Sequence, residues 1–132
     1  MHWLALVRIV HWGKGMVIGT LRIPTSPARR ADVIEILRSI QGSVLAQPGC
    51  KLCQVYEEQG PGAAVVFVER WESRAALERH IRSETYRRIL GAIELSASPP
   101  DVRFDEVSST EGIDLIERLR SLDDSHPPSN ER

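Results

Sequence analysis

Apolar residues recur along this chain with two different periods, and the alternation of those periods lays out its elements. Met16 to Ile23 reads as a strand, ended where Pro24 and Pro27 withdraw backbone donors that further pairing would need. From Ala28 to about Gln47 the spacing changes to three and four. Val33, Ile34, Leu37, Ile40, Val44 and Leu45 form the stripe of an amphipathic helix, with Arg29, Arg30, Glu35 and Arg38 off the stripe. Pro48 and Gly49 stop it. Cys50 to Glu57 predicts a second strand, Gln59 to Gly62 a turn, and Ala63 to Trp71 a third strand, so the two form an antiparallel hairpin. Ser73 is placed to cap a helix from about Arg74 to Ala92, whose apolar face holds Leu77, His80, Ile81, Tyr86 and Ile89. Ser83, Glu84 and Thr85 mark a point of kinking or breakage. Pro99 and Pro100 precede a fourth strand, Asp101 to Val107. A last helix, Gly112 to Leu122, carries a stripe of Leu115, Ile116, Leu119 and Leu122 that it cannot bury alone.

Strand, helix, strand, strand, helix, strand is the order of the ferredoxin-like split unit, an α+β fold with two helices on one face of a four-stranded antiparallel sheet. On the third strand, Val65, Phe67, Glu69 and Trp71 point one way, and Val66, Val68 and Arg70 the other. Large side chains on the face without helices need a cover. A second copy is the economical one, which predicts a homodimer with face-to-face sheets burying roughly 1,600 Å² in total.

At 132 residues the chain has room for one core. The domain is expected over residues 16–107, followed by a C-terminal helix over 108–122 and a disordered tail over 123–132. Residues 1–15 are apolar but interrupted by Arg8 and His11, too short to span a bilayer and unlike a signal peptide. Two accounts stand for them: an upstream extension or misassigned start before Met16, or an arm that packs or touches a membrane surface. Seventeen basic and eighteen acidic residues leave a formal charge of -1, with no basic block to bind nucleic acid. Cys50 and Cys53 make no disulfide framework, which fits a cytoplasmic protein. Three apart on a strand, they are expected on opposite faces. No metal-ligand spacing or phosphate-binding glycine loop is present.

The run Val68, Glu69, Arg70, Trp71, Glu72, Ser73, Ala76, Leu77, His80, Ser83, with Pro48, Gly49 and Cys50 before it, resembles the antibiotic biosynthesis monooxygenase domain, and within it the small quinol monooxygenases. The likeness covers about residues 16 to 107. It implies a dimeric α/β barrel with a pocket between helices and sheet in each subunit. It also implies oxidation of quinols, phenols or anthrone-like compounds with dioxygen as co-substrate and no metal, flavin or haem. Haem-degrading relatives carry a ligating histidine at a position that falls near Leu90 in this chain, an asparagine on a first strand that here reads Gly19, Thr20, Leu21, Arg22, and a tryptophan where His80 stands. Haem degradation is therefore not expected. Other members of the family are cyclases, signalling-related proteins or proteins of no known activity.

Oxygenation without a cofactor needs a substrate anion in a dry pocket, hence a base and an apolar box. His80 on an apolar helix face is suited to be that base, because burial favours the neutral imidazole. The alternative has His80 filling space and hydrogen-bonding Glu69, Glu84 or a carbonyl. Trp71 and Phe67 are candidates to hold a small hydrophobic aromatic ligand, with Leu77, Ile81 and Tyr86 around it, or they are ordinary core. Glu69, costly to bury unpaired, is expected to meet His80, an arginine or water.

Overall fold

The computed structural model describes residues 15–125. One unit spans Gly15–Val107. Its elements are β1 (Val17–Pro24), α1 (Pro27–Leu45), β2 (Cys50–Glu57), β3 (Ala64–Trp71), α2 (Arg74–Ile81), α3 (Glu84–Glu94) and β4 (Asp101–Glu106). The strands form one open antiparallel sheet in the order β2-β3-β1-β4. This is the ferredoxin-like α+β arrangement. A further helix, α4 (Ile113–Ser125), belongs to a second unit. It runs three residues past the expected Leu122, so the first part of the expected tail is helical. The expectations for residues 1–14 and 126–132 lie outside the described residues.

One sheet face is the core. Val17, Leu21 and Ile23 alternate on β1, and Val65, Phe67 and Trp71 on β3, all essentially buried. Val33, Leu37, Ile40 and Val44 of α1 cover them together with Ala76, Leu77, Ile89 and Ala92. Each buried aliphatic contributes about 1.5–3 kcal/mol through removal from water. The opposite face carries Thr20, Arg22, Gln54, Tyr56, Val66, Val68 and Arg70, none of them buried.

One local feature sharpens the sequence expectation and another departs from it. The helix expected over 74–92 breaks at the expected point into two helices, because Ser83 caps the first from below. Its N–H donates to the His80 carbonyl at 3.0 Å and its hydroxyl donates to the same oxygen at 2.6 Å. That diverts the carbonyl from the helical ladder. The cysteines also face the same way. Cys50 pairs with Trp71 and Cys53 with Glu69, with a register shift between Cys50 and Leu52. This β-bulge adds one residue and inverts the phase of the strand, so an odd spacing places both thiols on the core side. Both are free.

Candidate functional site

The site is assembled from β3, α2 and the chain that leaves α1. Period-two alternation sets Phe67, Glu69 and Trp71 side by side beneath the helices. The start of α2 is fixed by Ser73, whose hydroxyl accepts from Ala76 N–H at 3.1 Å. Gly49 fixes its distance from β2. With φ at +87°, a Cβ at this position would lie 2.6 Å from Ala76 Cβ, so only glycine permits the approach. His80, in the last turn of α2, thereby lands above Glu69.

His80 is 0% exposed and Glu69 5%. His80 Nε2 and Glu69 Oε2 are 2.5 Å apart. The oxygen lies off the direction of a ring N–H bond, so both atoms remain without an aligned hydrogen-bond partner, as does Trp71 Nε1. On its other side His80 Nδ1 meets Gln47 Oε1 at 2.9 Å. Trp71 stacks on the imidazole with centroids 4.5 Å apart, and Tyr86 approaches edge-on at 5.1 Å. The histidine is thus held by two aromatics, an amide and a carboxylate. Buried polar atoms without partners are uncommon and concentrate where ligand, water or chemistry completes them.

Beside Glu69 lies a cleft lined by Gly19, Leu21, Phe67, Tyr86, Ile89 and Phe104. Its volume is about 10 Å³, space for about one water molecule. The pocket expected to hold an aromatic ring is therefore almost closed in this arrangement. The absence of a side chain at Gly19 makes the cleft possible: a Cβ there would meet the Phe104 ring at 3.3 Å and Glu69 Oε1 at 3.5 Å.

Of the side chains singled out from sequence, Phe67, Glu69 and Tyr86 line this cleft. His80 stands behind Glu69, while Trp71 and Leu77 are core. Ile81, the last residue of α2, is exposed and is not among the residues that line this cleft. Gln47, Gly19 and Phe104 were not legible as site residues. Gln47 looked like the tail of a helix, and the pairing of Gly19 with both Glu69 and Phe104 is set by strand register. Burial, then the charge of Glu69, raises the Tyr86 phenol above its ordinary value. The same causes push Cys53 up to about 12, and burial raises Cys50, so both thiols stay protonated at neutral pH. Among the described residues no cluster of three His, Cys, Asp or Glu could hold a metal ion, and no helix is long and apolar enough to cross a membrane.

Comparison with known proteins accords with this architecture. Rv0793 from Mycobacterium tuberculosis superposes with a TM-score of 0.66 at 26% identity, covering 74% of this chain and 99% of that one. A conserved protein from Methanosarcina mazei superposes with a TM-score of 0.67 at 17% identity, over 74% of this chain and 97% of the other. The uncharacterized Synechocystis protein sll1783 is 22% identical over 97 residues, which make up 73% of this chain. The chain spans only 65% of that relative's length. The family model for antibiotic biosynthesis monooxygenases matches residues 16–92, the segment that carries β1 to β3, the Glu69–His80 pair and all of the cleft wall except β4, and the chain belongs to that family.

Proposed function

We propose that this chain is a monooxygenase that oxidises a hydroxylated aromatic, a quinol, phenol or anthrone-like compound, with dioxygen and without metal, flavin or haem. The observation that carries the reading is the buried Glu69–His80 pair, with unpartnered polar atoms, beside an apolar cleft. Glu69 is the member that lines the cleft, so it accepts the substrate's hydroxyl proton and His80 stabilises the change of charge behind it. Proton acceptance of this kind is worth about 10² to 10⁴ in rate. The resulting anion passes one electron to dioxygen, the aryloxyl radical and superoxide combine and take back a proton to form a hydroperoxide, and its O–O bond breaks with loss of water, which leaves one oxygen atom on the ring. Phe104, 43% exposed, and half-buried Tyr86 form the movable wall. Both must swing outward for a ring to enter. A homodimer covers the open sheet face at Tyr56, Val66 and Val68, and the free thiols fit a cytoplasmic setting.

The smallness of the cleft weighs against a bulky ligand in this arrangement, whether or not it reacts; the second reading is a non-catalytic dimeric protein that binds a small hydrophobic molecule. A polyketide cyclase would use the same base without consuming oxygen. Oxygen uptake by the metal-stripped protein with menadiol-like quinols and anthrones separates them. Uptake above background that disappears in Glu69→Gln and His80→Ala is the expected result. No uptake from a folded protein with any of these compounds shifts the weight to binding or cyclisation.

A further inference from the structure

Gln47 leaves the end of α1 immediately before the Pro48–Gly49 turn and places its side-chain Oε1 2.9 Å from His80 Nδ1. A carbonyl oxygen only accepts, so Nδ1 carries the proton of this hydrogen bond. The other nitrogen, Nε2, then faces Glu69 Oε2 at 2.5 Å. A lone pair on nitrogen and a carboxylate oxygen do not sit this close unless a proton or a positive charge lies between them. Glu69 has no lysine or arginine partner among the described residues, leaving His80 as its compensating group there.

We infer that Gln47 is a positioning residue that holds His80 protonated at Nδ1, so that the Glu69–His80 pair rests net neutral as a contact of imidazolium and carboxylate. This deepens the proposed function and rests on Glu69 as proton acceptor. A net-neutral pair suits a substrate that arrives uncharged. When the aromatic hydroxyl gives its proton to Glu69, the imidazolium stays opposite the new aryloxide and the total charge of the dry site does not change. A ring bearing its own carboxylate would bring an uncompensated charge, which an apolar wall of Phe67, Ile89 and Phe104 penalises. Among the described residues the other titratable groups that face the pair are Tyr86 from α3 and Cys50 and Cys53 from β2, all raised by burial and neutral at pH 7.

The test is nitrogen-edited NMR of the full chain labelled in its histidine rings, with the His80 signals identified by their loss in His80→Ala. In the parent chain at pH 7, His80 Nδ1 is expected to show a directly bonded proton exchanging slowly with water. Gln47→Leu should speed that exchange at least tenfold, on the order of the loss of one hydrogen bond, and Gln47→Glu, which keeps an acceptor, should restore the protection. An unprotonated Nδ1 in the parent chain overturns the inference whether or not the variants fold. So does a folded Gln47→Leu chain whose Nδ1 proton exchanges as slowly as before. The signal needs no turnover, so absent oxygen uptake alongside a protected Nδ1 proton would sink the oxygenase reading and leave Gln47's role standing.

Discussion

Two carboxylates of this chain, Glu58 and Glu69, are each paired with a basic side chain, and they differ in nearly everything else. Glu58 takes both ends of the Arg22 guanidinium at 2.8 Å and also accepts from Ala64 N–H at 3.0 Å. Both partners are more than a third exposed. Those hydrogen bonds, Arg22 first, hold the Glu58 carboxyl down at about 2. Glu69 is buried against a single imidazole, out of line, with Oε2 left over. The first pair is complete and needs nothing more. The second keeps an incomplete polar set in a dry place, the condition under which a further proton or ligand has most effect.

The contrast breaks most visibly at His80. Because removing one member of a buried pair strands the other, His80→Ala should cost about 3–5 kcal/mol in denaturant unfolding. A loss within that of an ordinary surface change would show that the pair is solvated. Gly49→Ala comes next, with an expected cost of about 1–3 kcal/mol for the positive φ, and more if Ala76 cannot yield. It should also weaken the Gln47–His80 hydrogen bond, observable as faster exchange of the Nδ1 proton. The smallest effect belongs to Glu58→Gln. Since the folded Glu58 titrates near 2 rather than at its ordinary 4.5, its contribution is full above pH 4.5 and is lost as pH falls through 2. Acid unfolding curves of Glu58→Gln should therefore be flatter between those limits, with a neutral-pH midpoint closer to the parent than that of His80→Ala.

Much of the fold was legible because each element carries its own signal. The α1 stripe, Ser73 and the 59–62 turn are local, and local chemistry decides them. The meeting of Glu69 with His80 was legible too, as a demand that a buried carboxylate find a partner. The break at Ser83 was legible as well, as a run of Ser83, Glu84 and Thr85 inside a helical stripe. What escaped was set by register: the position of Phe104 over Gly19 depends on how β4 aligns with β1, which is not written in spacing along the chain. Cleft volume is least legible of all, because it is the small remainder left when large side chains pack.

The extra residue at Lys51 acts as a gear between two halves of one strand. Below it, Cys53 and Val55 are meshed with the sheet; above it, Cys50 and the chain from Gln47 are turned half a step, so that they too engage the core side. Deleting that single exposed residue would touch no member of the site, yet it would force one half of the strand out of phase with the other. The amide would swing away from the imidazole, or the thiols would part to opposite faces. Tolerance to substitution at Lys51 and intolerance to its loss are thus two sides of the same geometry.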